Sequence, residues 1–218
     1  MGALPHAEKP RDGARDRGLH WGFPQYRGGG GNGYLFELQG HDVLIVDSSA
    51  EHARHGFIVN QAASGNVLLR ARVIDSRYSD DAHRFLANAN LYDGVELDRG
   101  WLQAVNRGTT STGAGFTATQ HVFWRTRVIA NHASSDGCAV ESAQWGLGYL
   151  IGSSAADGAD ARLCPESFSN RTWAALDQGD PEDFVEGEGM GETLHPVSLF
   201  AEQLALRCAR EGRECARW

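Results

Sequence analysis

Short apolar stretches recur along the chain from Tyr34 onward, separated by Gly, Asn, Asp and Ser. One series occupies residues 34–38, 56–59, 84–87, 101–105 and 138–140. A second interleaves with it at 43–46, 67–69, 91–95, 122–124 and 148–151. The second series starts at 43, 67, 91, 122 and 148, so its steps are 24, 24, 31 and 26. That is a repeat of about 25 residues with one insertion. Repeats of this length with two or three short strands each predict an all-β parallel solenoid of about five coils. Residues 70–75 and 125–129 support it: in both, Arg alternates with a small residue ahead of a Val-Ile pair, so the arginines of different coils share one outward face. The competing architecture is a sandwich of hairpins. Asn32-Gly33, Asp93-Gly94 and Asp136-Gly137 are hairpin-type turns, but most junctions lack one.

The pattern predicts three regions. Residues 1–33 are a polar, mobile lead-in ending in a Gly-rich turn, residues 34–154 the solenoid, and residues 155–218 a C-terminal extension. Glycines 28–31 are not followed by the Lys-Ser/Thr of a phosphate loop. Residues 177–192 form an acidic loop with seven acids and no base, without the spacing of an EF-hand. Ser198 is a plausible N-cap for one terminal α-helix whose stripe is Phe200, Leu204 and Cys208 and whose stop is Gly212. That helix is expected to cap the open strand edges at the solenoid's end.

Composition narrows the classes. Among 218 residues the 27 glycines suit a fold with many tight turns. No apolar run is long enough for a membrane-spanning helix. The net charge of −8 is uneven: residues 1–53 carry 5 basic and 7 acidic side chains, 54–127 carry 9 and 6, and 128–218 carry 6 and 15. A locally basic middle inside an acidic protein argues against nucleic acid and fits a small cleft for an anionic ligand. Cys138, Cys164, Cys208 and Cys215 contain no CxxC pair. Two disulfides, Cys138–Cys164 and Cys208–Cys215, are expected, four thiols being the other reading. Disulfides imply export, extracellular or periplasmic. The start of the chain does not read as a signal peptide, which is reconciled if the chain is part of a longer protein.

The stretch YSDDAHRFLANANLYDGVELDRGWLQAVNRG, residues 78–108, holds the densest candidate chemistry. His55 precedes Gly56-Phe57 as His83 precedes Arg84-Phe85, so the two histidines stack one coil apart, about 4.8 Å by strand spacing. Asp81, Arg107 and Asn106 flank them, and Gln144 holds a comparable place in a later coil. Trp101 and Trp145 are aromatic candidates for sugar stacking, with core packing as the other role. No Gly-x-Ser-x-Gly elbow exists, and His52-x-x-His55 lacks the HExxH context, so no metal ligand is assigned.

HGFIVNQAASGNVLLRARVIDS, DDAHRFLANANLYDGVELDRGWLQAVNRG and GAGFTATQHVFWRTRVIAN together resemble the right-handed parallel β-helix of the pectate-lyase-like superfamily. The likeness rests on the Gly-Asn-Val-apolar motif at Gly65-Asn66-Val67 and on Asn- and Gly-bearing turns, and covers residues 34–154. Members usually have more coils, so the chain resembles the C-terminal part of a longer protein. The resemblance implies an exported carbohydrate-active protein, most often a polysaccharide lyase acting on an anionic polysaccharide by β-elimination. Such lyases often use Lys or Arg as base, with Ca2+ bridging the substrate. The only lysine here is Lys9, in the lead-in. The roles therefore fall to His83 as base, Arg84 and Arg107 as carboxylate clamps, Asp81 as orienter of the histidine, and His55, Asn106, Trp101 and Gln144 as substrate contacts. The alternatives are a glycoside hydrolase pairing Asp80 or Asp81 with Asp75 or Asp98, and a non-catalytic glycan-binding solenoid.

Overall fold

The computed structural model describes residues 15–22, 33–165 and 181–215. They form a parallel β-solenoid of about five turns with one long helix, at the C-terminal end. Three walls run along it. The first stacks Leu44–Val46, Val67–Leu69, Leu91–Asp93, the first half of Val122–Ala130, the first half of Tyr149–Ala155, and Phe184–Glu186. The second stacks Ser49–Glu51, Arg72–Ile74, Glu96–Asp98 and the far halves of the two long strands. The third holds Tyr34–Leu38, His55–Val59, Asp80–Asp81, Leu102–Ala104, Cys138–Ser142 and Arg162–Cys164. Among the described residues every strand pair is parallel, the one antiparallel bridge, Asn106 with Phe116, being isolated, which excludes the hairpin sandwich.

The coil begins before Tyr34. Arg15–Arg17 pairs with Leu44–Val46 and His20–Gly22 with Ser49–Glu51, so part of the expected mobile lead-in is ladder. Glycines 28–31 and Lys9 lie outside the described residues. The ladder also runs past residue 154, through Arg162–Cys164 and Phe184–Glu186. The acidic loop is described from residue 181 on.

Stacking explains the repeat. Equivalent side chains of successive coils meet inside: Phe36 lies on Phe57 and Tyr92 on Phe123, each pair with ring centroids 4.7 Å apart. Such pairs add about 0.5–1.5 kcal/mol to the burial of their area. At the corner before the first wall, Asn66 donates Nδ2–H to Asn90 Oδ1 at 2.9 Å, and that oxygen also accepts from the Asn66 backbone N–H. The side chains thus satisfy backbone groups that a sharp turn leaves without ladder partners. An Asn ahead of the apolar run, Asn66 before Val67 and Asn90 before Leu91, is what builds this ladder.

The outward arginines do not make a free cationic face. Glu96 sits between them in register and pairs with Arg72 at 2.9 Å and Arg127 at 3.2 Å. Disulfides join Cys138 to Cys164 and Cys208 to Cys215. The first staples two neighbouring strands of the third wall. Together they suggest a compartment outside the reducing cytoplasm. Among the described residues no helix is long and apolar enough to cross a membrane.

The helix Leu199–Glu211 has the expected N-cap Ser198 and left-handed Gly212 stop, and Cys208 is buried on its stripe. Its position differs from the end-cap expectation. Asp93, in the middle of the first wall, accepts from Ser198 Oγ at 2.7 Å and from the Phe200 backbone N–H at 2.8 Å. Arg125 donates to the carbonyls of Gly191, Glu192 and Val197. The extension is a side strap, because the wall offers a carboxylate for the helix N-terminus. The rung that follows Tyr149–Ala155 is Phe184–Glu186.

Candidate functional site

The third wall carries the chemistry. Ser79-Asp80-Asp81 brings two adjacent carboxylates into a strand whose neighbours offer different partners. Asp80 turns toward the preceding coil, where Oδ1 accepts from the Phe57 backbone N–H at 2.6 Å. Gly56 makes room, since a Cβ there would lie 2.9 Å from that oxygen. Asp80 therefore replaces a ladder carbonyl. Burial, the largest influence, pushes its carboxyl up to about 8 against the opposing backbone hydrogen bonds, so it is neutral below that pH.

Asp81 is wholly buried and ionised. Burial alone would raise it, but Arg107, His55 and His83 outweigh that and hold it below the usual carboxylate range. Arg107 Nη1 is 2.8 Å from its Oδ2, His83 Nδ1 is 3.4 Å from its Oδ1, and His55 Nδ1 is 3.8 Å from its Oδ2. The coil stacking thus delivers His55, Asp81, His83 and Arg107 to one place.

Tyr34 completes the group. It opens the strand Tyr34–Leu38 in register with His55. Its hydroxyl lies 3.3 Å from His83 Nε2 and accepts from Arg54 Nη1 at 3.1 Å. Burial, then the charge of Asp81, raises the phenol above its ordinary value, which keeps it protonated. His55 bonds Ser79 O through Nδ1, and burial lowers its pKa, so it is a neutral ring packed edge-on to Tyr34. The tautomer of His83 follows from its neighbour. As an Nδ1–H donor to Asp81 it presents a lone pair at Nε2; as an acceptor from Arg107 Nη1, 3.0 Å away, it presents Nε2–H.

A cleft of about 450 Å³ opens over Tyr34 and His83. Arg54, Arg84, Glu37, Asn60, Gln61 and Phe85 line it, with Ser111 and Thr112 from the inserted loop. Arg54 and Arg84 give it a positive rim. Glu37, its one lining carboxylate, already accepts from Gln39 and Asn60. Among the described residues no group of three or more His, Cys, Asp or Glu side chains is arranged to hold a metal ion.

Several expected placements change. Arg107 points inward, its side chain only 11% exposed, and props Asp81 and His83 instead of clamping a substrate. Trp101 is buried against His132, and no sugar can reach its face. Asn106 is buried and closes a turn onto the Gly108 N–H. Gln144 is buried, accepting from the His121 N–H and donating to Ser142. His55 is buried, packed against Tyr34 and His83. The carboxylates named for a hydrolase are placed as follows. Asp80 and Asp81 face no open groove, while Asp75 is taken by His52 and Arg99, and Asp98 by Arg99. The sequence reading missed Tyr34 and Arg54. Extending the repeat one coil upward, onto the register partner of His55, is the signal that finds Tyr34.

Compared with known proteins, the chain matches no family model, no curated protein and no solved structure.

Proposed function

We propose that the chain is an exported carbohydrate-active solenoid that cleaves a uronic-acid-containing polysaccharide by β-elimination in the Tyr34–His83 cleft. The observation that carries this reading is a neutral tyrosine hydroxyl 3.3 Å from a histidine nitrogen, with Arg54 on the same oxygen and Arg84 on the rim. A lyase needs a base, an acid and a cation for the charge that grows on the substrate carboxylate. His83, as the Nδ1–H tautomer held by Asp81, supplies the base at Nε2. It takes the proton from the carbon beside the carboxylate, the bond to the glycosidic oxygen breaks, and a carbon–carbon double bond forms. Tyr34 donates its proton to the departing oxygen. The proton on His83 then passes back to Tyr34 across their contact, restoring both groups. Arg54 and Arg84 neutralise the carboxylate. Arg107 and Asp81 are positioning residues.

The superfamily resemblance also implies Ca2+. The residues lining the cleft include a single carboxylate, Glu37, whose Oε1 already accepts from two amides, too small a ligand set for the ion, so no step is routed through a metal. The test incubates the oxidised protein with polygalacturonate, alginate, hyaluronan and chondroitin, with and without Ca2+. Near-ultraviolet absorbance of unsaturated uronyl ends is the expected product signal. Its absence with every polymer rejects the reaction. The second reading is a non-catalytic glycan-binding solenoid, favoured by one observation: His83 is only 6% exposed.

A further inference from the structure

Three large apolar residues adopt left-handed backbone conformations among the described residues: Phe85 (φ 59°), Leu86 (φ 49°) and Trp145 (φ 59°). All stand at the corner between the third and first walls, and they are 57%, 47% and 49% exposed. Left-handed φ is unfavourable for bulky side chains, and exposed apolar area gains nothing from burial. The turn does not require these residues. One coil earlier Gln61 (φ 52°) and Ala62 (φ 59°) make the same two-residue turn.

The corner residues line up. Ala87 is in register with Ala118, so Phe85 and Phe116 each stand two residues ahead of paired positions in successive coils. The Phe116 ring lies 3.8 Å from that of Trp145, in the coil after. Phe85 lines the Tyr34–His83 cleft, with the Arg84 guanidinium 5.4 Å over its ring.

We infer that Phe85, Phe116 and Trp145 form a stacking platform for the sugar rings of an anionic glycan leaving the cleft along the solenoid axis. The inference rests on the glycan reading of the cleft and extends it by two coils. A pyranose ring has an apolar C–H face and a polar rim. Aromatic rings take the face, and Arg84 stands where carboxylates on the rim would fall. Coils advance by about 4.8 Å, close to the advance of one sugar residue along an extended chain. An array of aromatics at coil spacing therefore meets successive sugars in register.

The test uses the full chain with its disulfides intact, and oligogalacturonates and oligoalginates from dimer to octamer. Affinity is read by calorimetry and by tryptophan fluorescence. In the wild-type protein affinity should rise with length up to the hexamer. Trp145→Ala and Phe85→Ala, with fold checked by circular dichroism, should each weaken binding of the long oligomers by about tenfold. The dimer, too short to reach Trp145, should bind wild type and Trp145→Ala alike. Wild-type affinity of Trp145→Ala across the whole series, or no binding by any oligomer, overturns the platform. So does a wild-type dimer in sedimentation that Trp145→Ala splits, since the corner would then cover a second copy of this chain. Length-dependent, Trp145-dependent binding without any unsaturated product removes the elimination reaction and leaves the platform standing. Product formation with length-independent binding does the reverse.

Discussion

Arg107 reaches back one coil to place Nη1 2.8 Å from Oδ2 of Asp81, the carboxylate fully buried and the arginine side chain 11% exposed. Two buried opposite charges this close are costly to separate, because either one left alone keeps its desolvation penalty. Arg107→Met should lower the unfolding free energy by about 3–5 kcal/mol. Asp81→Asn should do much the same, and the double variant should cost less than the sum by about 1–3 kcal/mol. Urea denaturation of the three proteins measures this. The sign with pH follows from the depressed carboxyl. Its contribution is complete above the unfolded carboxylate value of about 3.9 and is lost as pH falls through the lower folded value. Strict additivity would mean that the pair is not coupled.

Asp80 should act in the opposite sense. Its folded pKa, about 8, lies above the unfolded value, so its contribution is full below about pH 4. It is lost as pH rises through about 8. Asp80→Asn keeps an oxygen for the Phe57 N–H and cannot ionise. The variant should gain on wild type steadily between those limits. Melting curves over that range check it, and parallel pH profiles for the two proteins would show that Asp80 is ionised in the fold.

Tyr34 and His83 should separate in their kinetics. Tyr34→Phe removes the acid and keeps the ring that packs on His55. It should reduce kcat on a uronic polymer by about 10²–10⁴-fold with little change in KM. Arg84→Gln, on the exposed rim, should raise KM as well as lower kcat. A Tyr34→Phe protein turning over at the wild-type rate would remove the proton relay.

Legibility in the sequence followed how local each interaction is. Every coil must lay a strand on the first wall, so the observed starts at 44, 67, 91, 122 and 149 sit within a residue of the apolar pattern. The sequence brought His55 and His83 together by the wrong register: His83 follows the strand Asp80–Asp81, Val59 pairs with Ala82, and the two rings meet edge-on at 6.1 Å instead of stacking as equivalent positions. The direction of Arg107 was not readable. Arginine turns inward here only because Asp81, from the previous coil, leaves an ionised carboxylate inside. Trp101, Asn106 and Gln144 were misplaced for a related reason: composition shows a polar or aromatic side chain and says nothing of which wall of the coil it faces. The helix stripe was plain, but its docking point depended on Asp93, 105 residues before Ser198.

That docking point yields a prediction about motion. The strap is held by Asp93 at the helix N-terminus, by Arg125 across three backbone carbonyls, and by Trp124 Nε1–H on the Pro196 carbonyl. Most of the helix is otherwise exposed, so little apolar area would be lost if it lifted away. Charge-assisted hydrogen bonds are worth about 1.5–3 kcal/mol each, enough to decide a segment with so few other attachments. Arg125→Ala should therefore raise amide exchange across residues 191–211 while the coils at Leu68, Leu97 and Leu150 stay protected. Uniform faster exchange throughout would make the strap part of one cooperative unit with the solenoid. Asp93→Asn, which removes the charge but keeps an acceptor, should loosen the same segment to a smaller degree, because the helix N-terminus favours a carboxylate over an amide.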